Sequence, residues 1–363
     1  MQEAFSTDVA YYEDRAAGIA SVAGSTIEEA RGELAARHGF ARWDQLVDHV
    51  EALRDGREPL SAFLRASRAV EAGDAEGLRE LLDRDPGLVH VRGTNGNDLL
   101  GLAGGDGALV RLLLERGADV NRGNDYGWTI LHQAGYTNDR ALARTALEAG
   151  ADPALSARGD GGTPLVAALF WGHREVVGLL GEEPRNLRVA AGLGLVEMID
   201  ELAGTPAAGA HRAFHRPHGG FPAWAPADDP EEVLDEALAW AARSDRVEAT
   251  ERIVELGARL DADIYRGTAL TWAAWNDRVA ATKRLLELGA DPNARGSFGG
   301  PDHGEGVTAL HLAAQAGRTA TVEELLAAGA DMTIPDRLHG GTPSAWASFG
   351  GHPELAEVLR IPA

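Results

Sequence analysis

Five short segments of this chain end in the same way. They read LLERGAD, ALEAGAD, IVELGAR, LLELGAD and LLAAGAD, and their glycines are Gly117, Gly150, Gly257, Gly289 and Gly329. Gly117 and Gly150 are 33 residues apart, and Gly257 and Gly289 are 32 apart. A period of this length restricts the chain to folds in which each repeat buries its apolar faces by stacking on the next one.

The beginning of each repeat predicts a pair of helices. Four threonines each open an alanine-rich segment: Thr163, Thr268, Thr308 and Thr342. A threonine caps the first helix, and a proline is tolerated in its first turn. The leucine pairs then supply the core of a second helix, which the glycine ends in a left-handed conformation.

These motifs, TPL and TALH at the start and GAD at the end, resemble the ankyrin repeat. The resemblance implies an all-α ankyrin-repeat solenoid with about nine helix-turn-helix units and short β-hairpin loops over residues 59–363. Residues 1–58 contain HGFARWDQL, which resembles a segment that often precedes ankyrin arrays in bacterial proteins. We predict an N-terminal helical capping region there, and a separate functional domain is the alternative.

Composition excludes several classes of function. The chain has 34 basic and 56 acidic residues, a net charge of −22, so nucleic acid and anionic membranes are poor partners. It has no cysteine, which excludes disulfides and thiolate chemistry. It also has no long apolar run, and its first residues lack the apolar segment of a signal peptide. We therefore expect a cytoplasmic protein, and the resemblance of the N-terminal segment implies a bacterial one.

Two insertions interrupt the array, at about residues 208–230 and 296–306. Between the fourth and fifth repeats the sequence has no room for the usual hairpin, and the first insertion follows soon after. It contains Phe214, Phe221 and Trp224, which favours a loop packed over the gap and the groove. A solvated excursion is the alternative, since loop length costs little free energy.

Aromatic residues recur on the predicted inner face. When the first helices are aligned by their threonines, the fifth position holds Trp240, Trp272 and Trp346, and the eighth holds Tyr136, Phe170, Trp275 and Phe349. Residues three apart share a helical face, so Trp272 and Trp275 are neighbours. With the aromatic residues of the insertions, the predicted binding residues are Tyr136, Phe170, Trp171, Trp224, Trp240, Trp272, Trp275, Phe298 and Phe349.

The histidines divide into two groups. Those at repeated or capping positions are expected to be structural: His38, His132, His173, His311 and His352. His211, His215, His218 and His303 lie in the insertions, where His215, His218, Asp302 and His303 are candidates for acid or base catalysis. We predict no metal site, because the prolines around His211 and His215 disfavour the helix that their metal-ligand spacing requires. We predict no cofactor, because nucleotide-binding motifs are lacking.

These sequence features are compatible with two functions. The first is a binding protein that recognises a protein or a hydrophobic small molecule in an aromatic concave groove covered by the two inserted loops. The second is an enzyme acting on a hydrophobic small molecule, as in natural-product biosynthesis, with the loop histidines and Asp302 as acid or base.

Overall fold

A computed structural model describes residues 5–56, 62–213, 226–264, 267–297 and 306–360. These ranges contain twenty α-helices, four short 3-10 helices and no strand. The chain forms two compact units. The N-terminal unit comprises Met1–Ala134 and Asp139–Asp152, and the C-terminal unit comprises Gly135–Asn138 and Pro153–Ala363.

The first three helices precede the repeats. They are α1 (Val9–Ala23), α2 (Ile27–Arg37) and α3 (Trp43–Arg54). The ring of Phe5 lies 5.7 Å from that of Phe63 on the first repeat helix, so this N-terminal region packs on the beginning of the array. This contact is what a cap requires, and the capping role of residues 1–58 stays a prediction.

Nine helix pairs follow within the described ranges, in agreement with the predicted number of repeats. Eight of the pairs are two α-helices, and in the fourth the second helix is the 3-10 helix Val177–Leu179. The remaining bounds are α4 (Ala62–Glu71), α5 (Ala75–Arg84), α6 (Leu99–Ala103), α7 (Gly107–Glu115), α8 (Ile130–Thr137), α9 (Arg140–Glu148), α10 (Pro164–Phe170), α11 (Leu187–Leu193), α12 (Val196–Leu202), α13 (Pro230–Arg243), α14 (Val247–Glu255), α15 (Ala269–Trp275), α16 (Val279–Glu287), α17 (Ala309–Gln315), α18 (Thr319–Ala327), α19 (Pro343–Phe349) and α20 (Pro353–Val358).

The connections differ from the prediction in two respects. Within the described ranges the hairpins form one isolated antiparallel bridge, Gly296 with Val307, so they are turns rather than strand ladders. The connection into the sixth repeat ends in extra helical turns, because α13 has 14 residues where α10, α11, α15, α17 and α19 have seven each. The extra turns begin at Asp229, whose side chain caps the helix by accepting a hydrogen bond from the backbone N–H of Glu231.

We call the first helix of each repeat the inner helix and the second the outer helix. Several side chains at the start of outer helices bind the inner helix of an earlier repeat. His173 Nδ1 lies 3.0 Å from the carbonyl oxygen of Gly135, and Arg246 Nε donates to the carbonyl of Gly192. Arg278 donates twice, to the carbonyls of Arg243 at 2.9 Å and of Gly172 at 2.6 Å. These bonds satisfy carbonyl groups at the ends of inner helices, which have no partner within their own helix.

The hairpins are linked by asparagine side chains. Asn121 donates to the carbonyl of Gly150 and accepts from the N–H of Asp152, and Asn293 makes the same two bonds with Gly329 and Asp331. Asp261 occupies this position in the sixth repeat, where it accepts from the N–H of Asp291. A carboxylate cannot donate the second bond. Partial burial and, to a smaller extent, the Asp291 carboxylate raise the pKa of Asp261.

Asp261→Asn is therefore expected to stabilise the C-terminal unit by about 0.5–1 kcal/mol at pH 7, because the amide donates the missing hydrogen bond. A carboxyl group with a raised pKa in the folded state favours folding when protonated and loses that contribution as the pH rises through its pKa. The gain should thus be larger at pH 7 than near pH 4. Urea unfolding at both pH values measures it.

Asn293→Asp is the reciprocal control at the matching position. It removes the donor that Asn293 supplies to Gly329, so it should destabilise the unit by a similar amount at pH 7. Two substitutions that shift stability in the same direction would contradict the role given to the amide.

Candidate functional site

Three of the predicted inner-face aromatics form a buried cluster in the C-terminal unit. Phe170, Trp240 and Trp272 are each at most 3% exposed. The Phe170 ring lies 5.5 Å from that of Trp272 and 6.3 Å from that of Trp240. These side chains are interior in this structure, and their predicted role in ligand binding stays a prediction.

Arg243 fills the centre of the cluster. Its guanidinium carbon lies 3.7 Å from the Trp272 ring centroid, 5.1 Å from that of Phe170 and 5.3 Å from that of Trp240. The guanidinium donates to the carbonyl of Phe170 at 2.7 Å and to that of Ala239 at 3.2 Å. A cation placed over aromatic faces and also hydrogen bonded can be buried at low cost, which explains how a charge occupies this interior.

Backbone contacts bring the fourth, sixth and seventh repeats together beside this cluster. Gly172 has a φ of +71°, and a Cβ atom there would lie 2.5 Å from the carbonyl oxygen of Arg243. The two carbonyl bonds of Arg278 span the same three repeats. The inner face is therefore closed here by direct packing, which places the fifth-position residues Trp240 and Trp272 inside.

Four other aromatics remain accessible where inner helices end. Tyr136, Trp171 and Trp275 are partly exposed, and Phe349 is 84% exposed. The rings of Tyr136 and Trp171 are edge to face, with centroids 5.9 Å apart. Gly172, which follows Trp171, lies against Asn276, which follows Trp275. We call these four side chains the aromatic edge. Trp272 and Trp275 thus differ in exposure although they are only three residues apart.

A second buried network fixes the base of the first insertion. Glu236, on an extra turn of α13, lies 3.4 Å from Arg188 Nη1 and also accepts a hydrogen bond from Arg212. Arg212 binds Glu232 at 2.9 Å and donates to the carbonyl of Ala227 at 3.2 Å, which joins the two ends of the insertion. Burial lowers the pKa of Arg188, whereas the Glu236 carboxylate acts in the opposite direction.

One histidine of the first insertion lies beside a carboxylate that the sequence does not single out. His211 Nδ1 lies 2.9 Å from an Asp160 carboxylate oxygen, and both side chains are more than half exposed. Six other predicted site residues lie outside the described residues: His215, His218, Trp224, Phe298, Asp302 and His303. So do Phe214 and Phe221. No group of three or more histidines and carboxylates within the described ranges could hold a metal ion.

The histidine expected to be structural in the eighth repeat has that role. His311 Nδ1 accepts a hydrogen bond from the N–H of Thr308, and its Nε2–H donates to the carbonyl of Gly341 at 3.1 Å. Burial lowers the pKa of His311 to about 4, so the ring is neutral near pH 7. It is a structural group rather than a proton carrier at this pH.

Sequence reasoning did not identify the buried charges Arg188, Arg212 and Glu236. The repeat alignment places Arg243 at the eighth position of the sixth repeat but indicates no role for it. The sequence feature that could have indicated such buried charges is the presence of charged residues in otherwise apolar inner helices, as in NLRVAAG and EEVLDEALAWAAR. Charged residues are almost never fully buried unless they are paired, so such positions predict internal ion pairs or cation–π contacts.

Comparison with known proteins identifies the repeat. The family model of ankyrin repeats in three copies matches residues 66–157 and 187–296, more than half of the chain, and the single ankyrin-repeat model matches residues 305–337. The chain belongs to the ankyrin-repeat family. Among the helices within the described ranges, none combines the length and apolar character that crossing a bilayer requires.

Individual relatives match over short stretches. The ankyrin repeat and SAM domain-containing protein 6 of Mus musculus is 30% identical over 137 residues, which is 37% of this chain and 16% of that protein. The ARF GTPase-activating protein GIT1 of Homo sapiens is 47% identical over 66 residues, 18% of this chain and 8% of that protein. The similarity therefore covers less than a fifth of either relative.

Proposed function

We propose that this ankyrin-repeat protein binds a protein partner through the aromatic edge. The observation that carries the proposal is the division among the inner-face aromatics: Phe170, Trp240 and Trp272 are buried, whereas the aromatic edge faces solvent at least in part. Ankyrin repeats typically bind proteins, and the name of the murine relative includes this kind of module.

The chemistry of the aromatic edge suits a protein interface. Tryptophan and tyrosine dominate the energetic hot spots of such interfaces, because they bury a large area with few rotatable bonds. Phe349 at 84% exposure leaves almost its whole ring in water, which is unfavourable in a free protein and favourable once a partner covers it. The buried cluster behind Trp171 and Trp275 supplies a rigid base.

The proposal extends to the concave groove that the sequence predicts, covered by the two inserted loops. A small hydrophobic ligand and an acid–base reaction would instead depend on His215, His218, Asp302 and His303, which lie outside the described residues. The His211–Asp160 pair is exposed and lies on the surface, so it favours no enclosed catalytic site.

Affinity capture from a lysate of the encoding organism tests the proposal. We expect Trp275→Ala and Phe349→Ala each to reduce capture of the bound protein about tenfold or more, because each removes an aromatic anchor. Both variants should keep the circular dichroism spectrum of the wild type.

Tyr126→Ala is the matched control, since Tyr126 is an aromatic residue 46% exposed in the N-terminal unit. It should capture as much partner as the wild type. Equal capture by all four proteins would exclude the aromatic edge as the binding surface.

A further inference from the structure

Arginines recur where the outer helices of the C-terminal unit begin, beside the aromatic edge. The fourth, sixth, seventh and eighth repeats supply one each: Arg174, Arg246, Arg278 and Arg318. We call these four residues the arginine row. Two of them lie three residues after the edge tryptophans Trp171 and Trp275. Arg278 also donates to the carbonyl of Gly172, which follows Trp171, so the row and the aromatic edge adjoin.

The arginine row has few carboxylate partners. Arg174 pairs with Asp245 at 3.4 Å, and within the described ranges the other three arginines form no ion pair. Arg246 donates to one backbone carbonyl and Arg278 to two, which orients each guanidinium without neutralising its charge. The described residues supply neither an ion pair nor a hydrogen-bond acceptor for the Arg318 side chain. Most N–H groups of the row are therefore available to a ligand.

Three carboxylates adjoin the row along the chain, and two of them accept hydrogen bonds from other donors. Asp245 Oδ1 accepts from the N–H of Ala281 at 3.1 Å, and Asp277 Oδ1 accepts from the Thr321 hydroxyl at 2.9 Å. The third is the exposed Glu175. The arginines outnumber these carboxylates in a chain whose net charge is −22, so the overall composition does not account for the row.

The arginines of the row lie close enough to repel one another. Burial lowers the pKa of Arg246 and of Arg278, and the charge of Arg174 acts in the same direction on both. The charge of Arg318 adds to the effect on Arg278, which neighbouring carboxylates oppose. An anion placed on the row would relieve this repulsion and gain from every guanidinium that it contacts.

We propose that the arginine row binds the carboxylates of an acidic segment of the protein partner, while an apolar side chain of the same segment packs on Trp171 or Trp275. This inference rests on the proposed function and adds the chemistry of the partner. The remaining surface is acidic, so it repels an acidic segment everywhere except at the row, which fixes where the segment docks. A nucleic acid fits less well, because its continuous backbone charge would extend beyond the row.

The competing explanation is that the arginines only fasten repeats to one another. The carbonyl bonds of Arg246 and Arg278 have that effect. Within the described ranges, however, the side chains of Arg174 and Arg318 make no bond to a backbone carbonyl, so substituting them leaves those connections intact. Arg174 and Arg318 therefore separate binding from fastening.

The test measures binding of a labelled decapeptide to the full chain by fluorescence anisotropy at constant ionic strength. The peptide consists of glutamate and serine with a single tryptophan, and its uncharged match has glutamine in place of glutamate. We expect saturable binding of the glutamate peptide, about tenfold or more tighter than that of the glutamine peptide, because charge-assisted hydrogen bonds are stronger than neutral ones.

Arg174→Gln and Arg318→Gln should each weaken binding of the glutamate peptide about fivefold or more, because each removes a charge-assisted donor. Asp245→Asn should strengthen it. The amide oxygen can still accept the hydrogen bond from the N–H of Ala281, while the charge that competes for Arg174 is removed.

Arg252→Gln is the matched control, since it removes the same charge from the same unit at a side chain paired with Asp200 at 2.6 Å and Glu255 at 2.9 Å. It should bind the glutamate peptide as the wild type does. Equal binding of the two peptides, an unchanged affinity in Arg174→Gln or Arg318→Gln, or an equal loss in Arg252→Gln would overturn the proposal. Tighter binding of single-stranded decathymidylate than of the glutamate peptide would assign the row to nucleic acid instead.

The capture experiment separates this inference from the proposed function. Capture that depends on Trp275 and Phe349 but not on Arg174 or Arg318 would keep the aromatic edge as the binding surface and reject the acidic segment. Capture that depends on none of these residues would reject the proposed function.

Discussion

Glu236→Gln is expected to lower the free energy of unfolding of the C-terminal unit by about 3–5 kcal/mol. The substitution keeps the shape of the side chain and removes its charge. Arg188 is 1% exposed, so water cannot replace the lost carboxylate, whereas Arg212 keeps its ion pair with Glu232. A buried cation left without its anion bears most of its desolvation cost uncompensated. Urea unfolding followed by far-UV circular dichroism measures the loss.

Glu255→Gln provides the exposed counterpart. Glu255 pairs with Arg252 at 2.9 Å, and the two side chains are 66% and 36% exposed. Its loss should cost less than about 0.5 kcal/mol, as is typical of surface pairs. A loss below about 1 kcal/mol in Glu236→Gln would mean that water reaches the network, and the insertion would not be anchored as described.

Much of the fold follows from local rules in the sequence. The period near 33 residues, the capping threonines and the closing glycines predict the nine helix pairs that the structure contains. His311 could be assigned because its role repeats with the motif. These features depend on contacts within a repeat or with an adjacent repeat, and an alignment of repeats shows them directly.

The site depends on contacts that skip repeats, and these could not be predicted. The carbonyl of Gly172 meets Arg278 three repeats further along, and the Phe170 ring meets that of Trp272 across the same distance. The shortened connection after Leu180 and the lengthened α13 lie in the chain between the repeats that make these contacts. The alignment assigned Trp272 to the inner face but could not show that Phe170 and Arg243 would cover it.

Trp272→Ala should cost about 3–5 kcal/mol of unfolding free energy, the range measured for removing a large buried aromatic side chain. Trp272 has no exposed surface, and the Arg243 guanidinium lies 3.7 Å from its ring centroid. Removing the indole leaves a cavity and also takes away one face of the cation–π contact that accommodates Arg243. Urea unfolding followed by circular dichroism gives the loss without depending on tryptophan fluorescence.

Trp275→Ala is the control within the same helix, three residues further along. Its side chain is partly exposed, so its removal should cost on the order of 1 kcal/mol, because water already contacts part of the ring. The two variants should therefore separate stability from binding: Trp272→Ala weakens the fold, and Trp275→Ala weakens partner capture. If Trp275→Ala destabilised the unit as much as Trp272→Ala does, both indoles would belong to the core. The aromatic edge would then lose its central residue as a binding group.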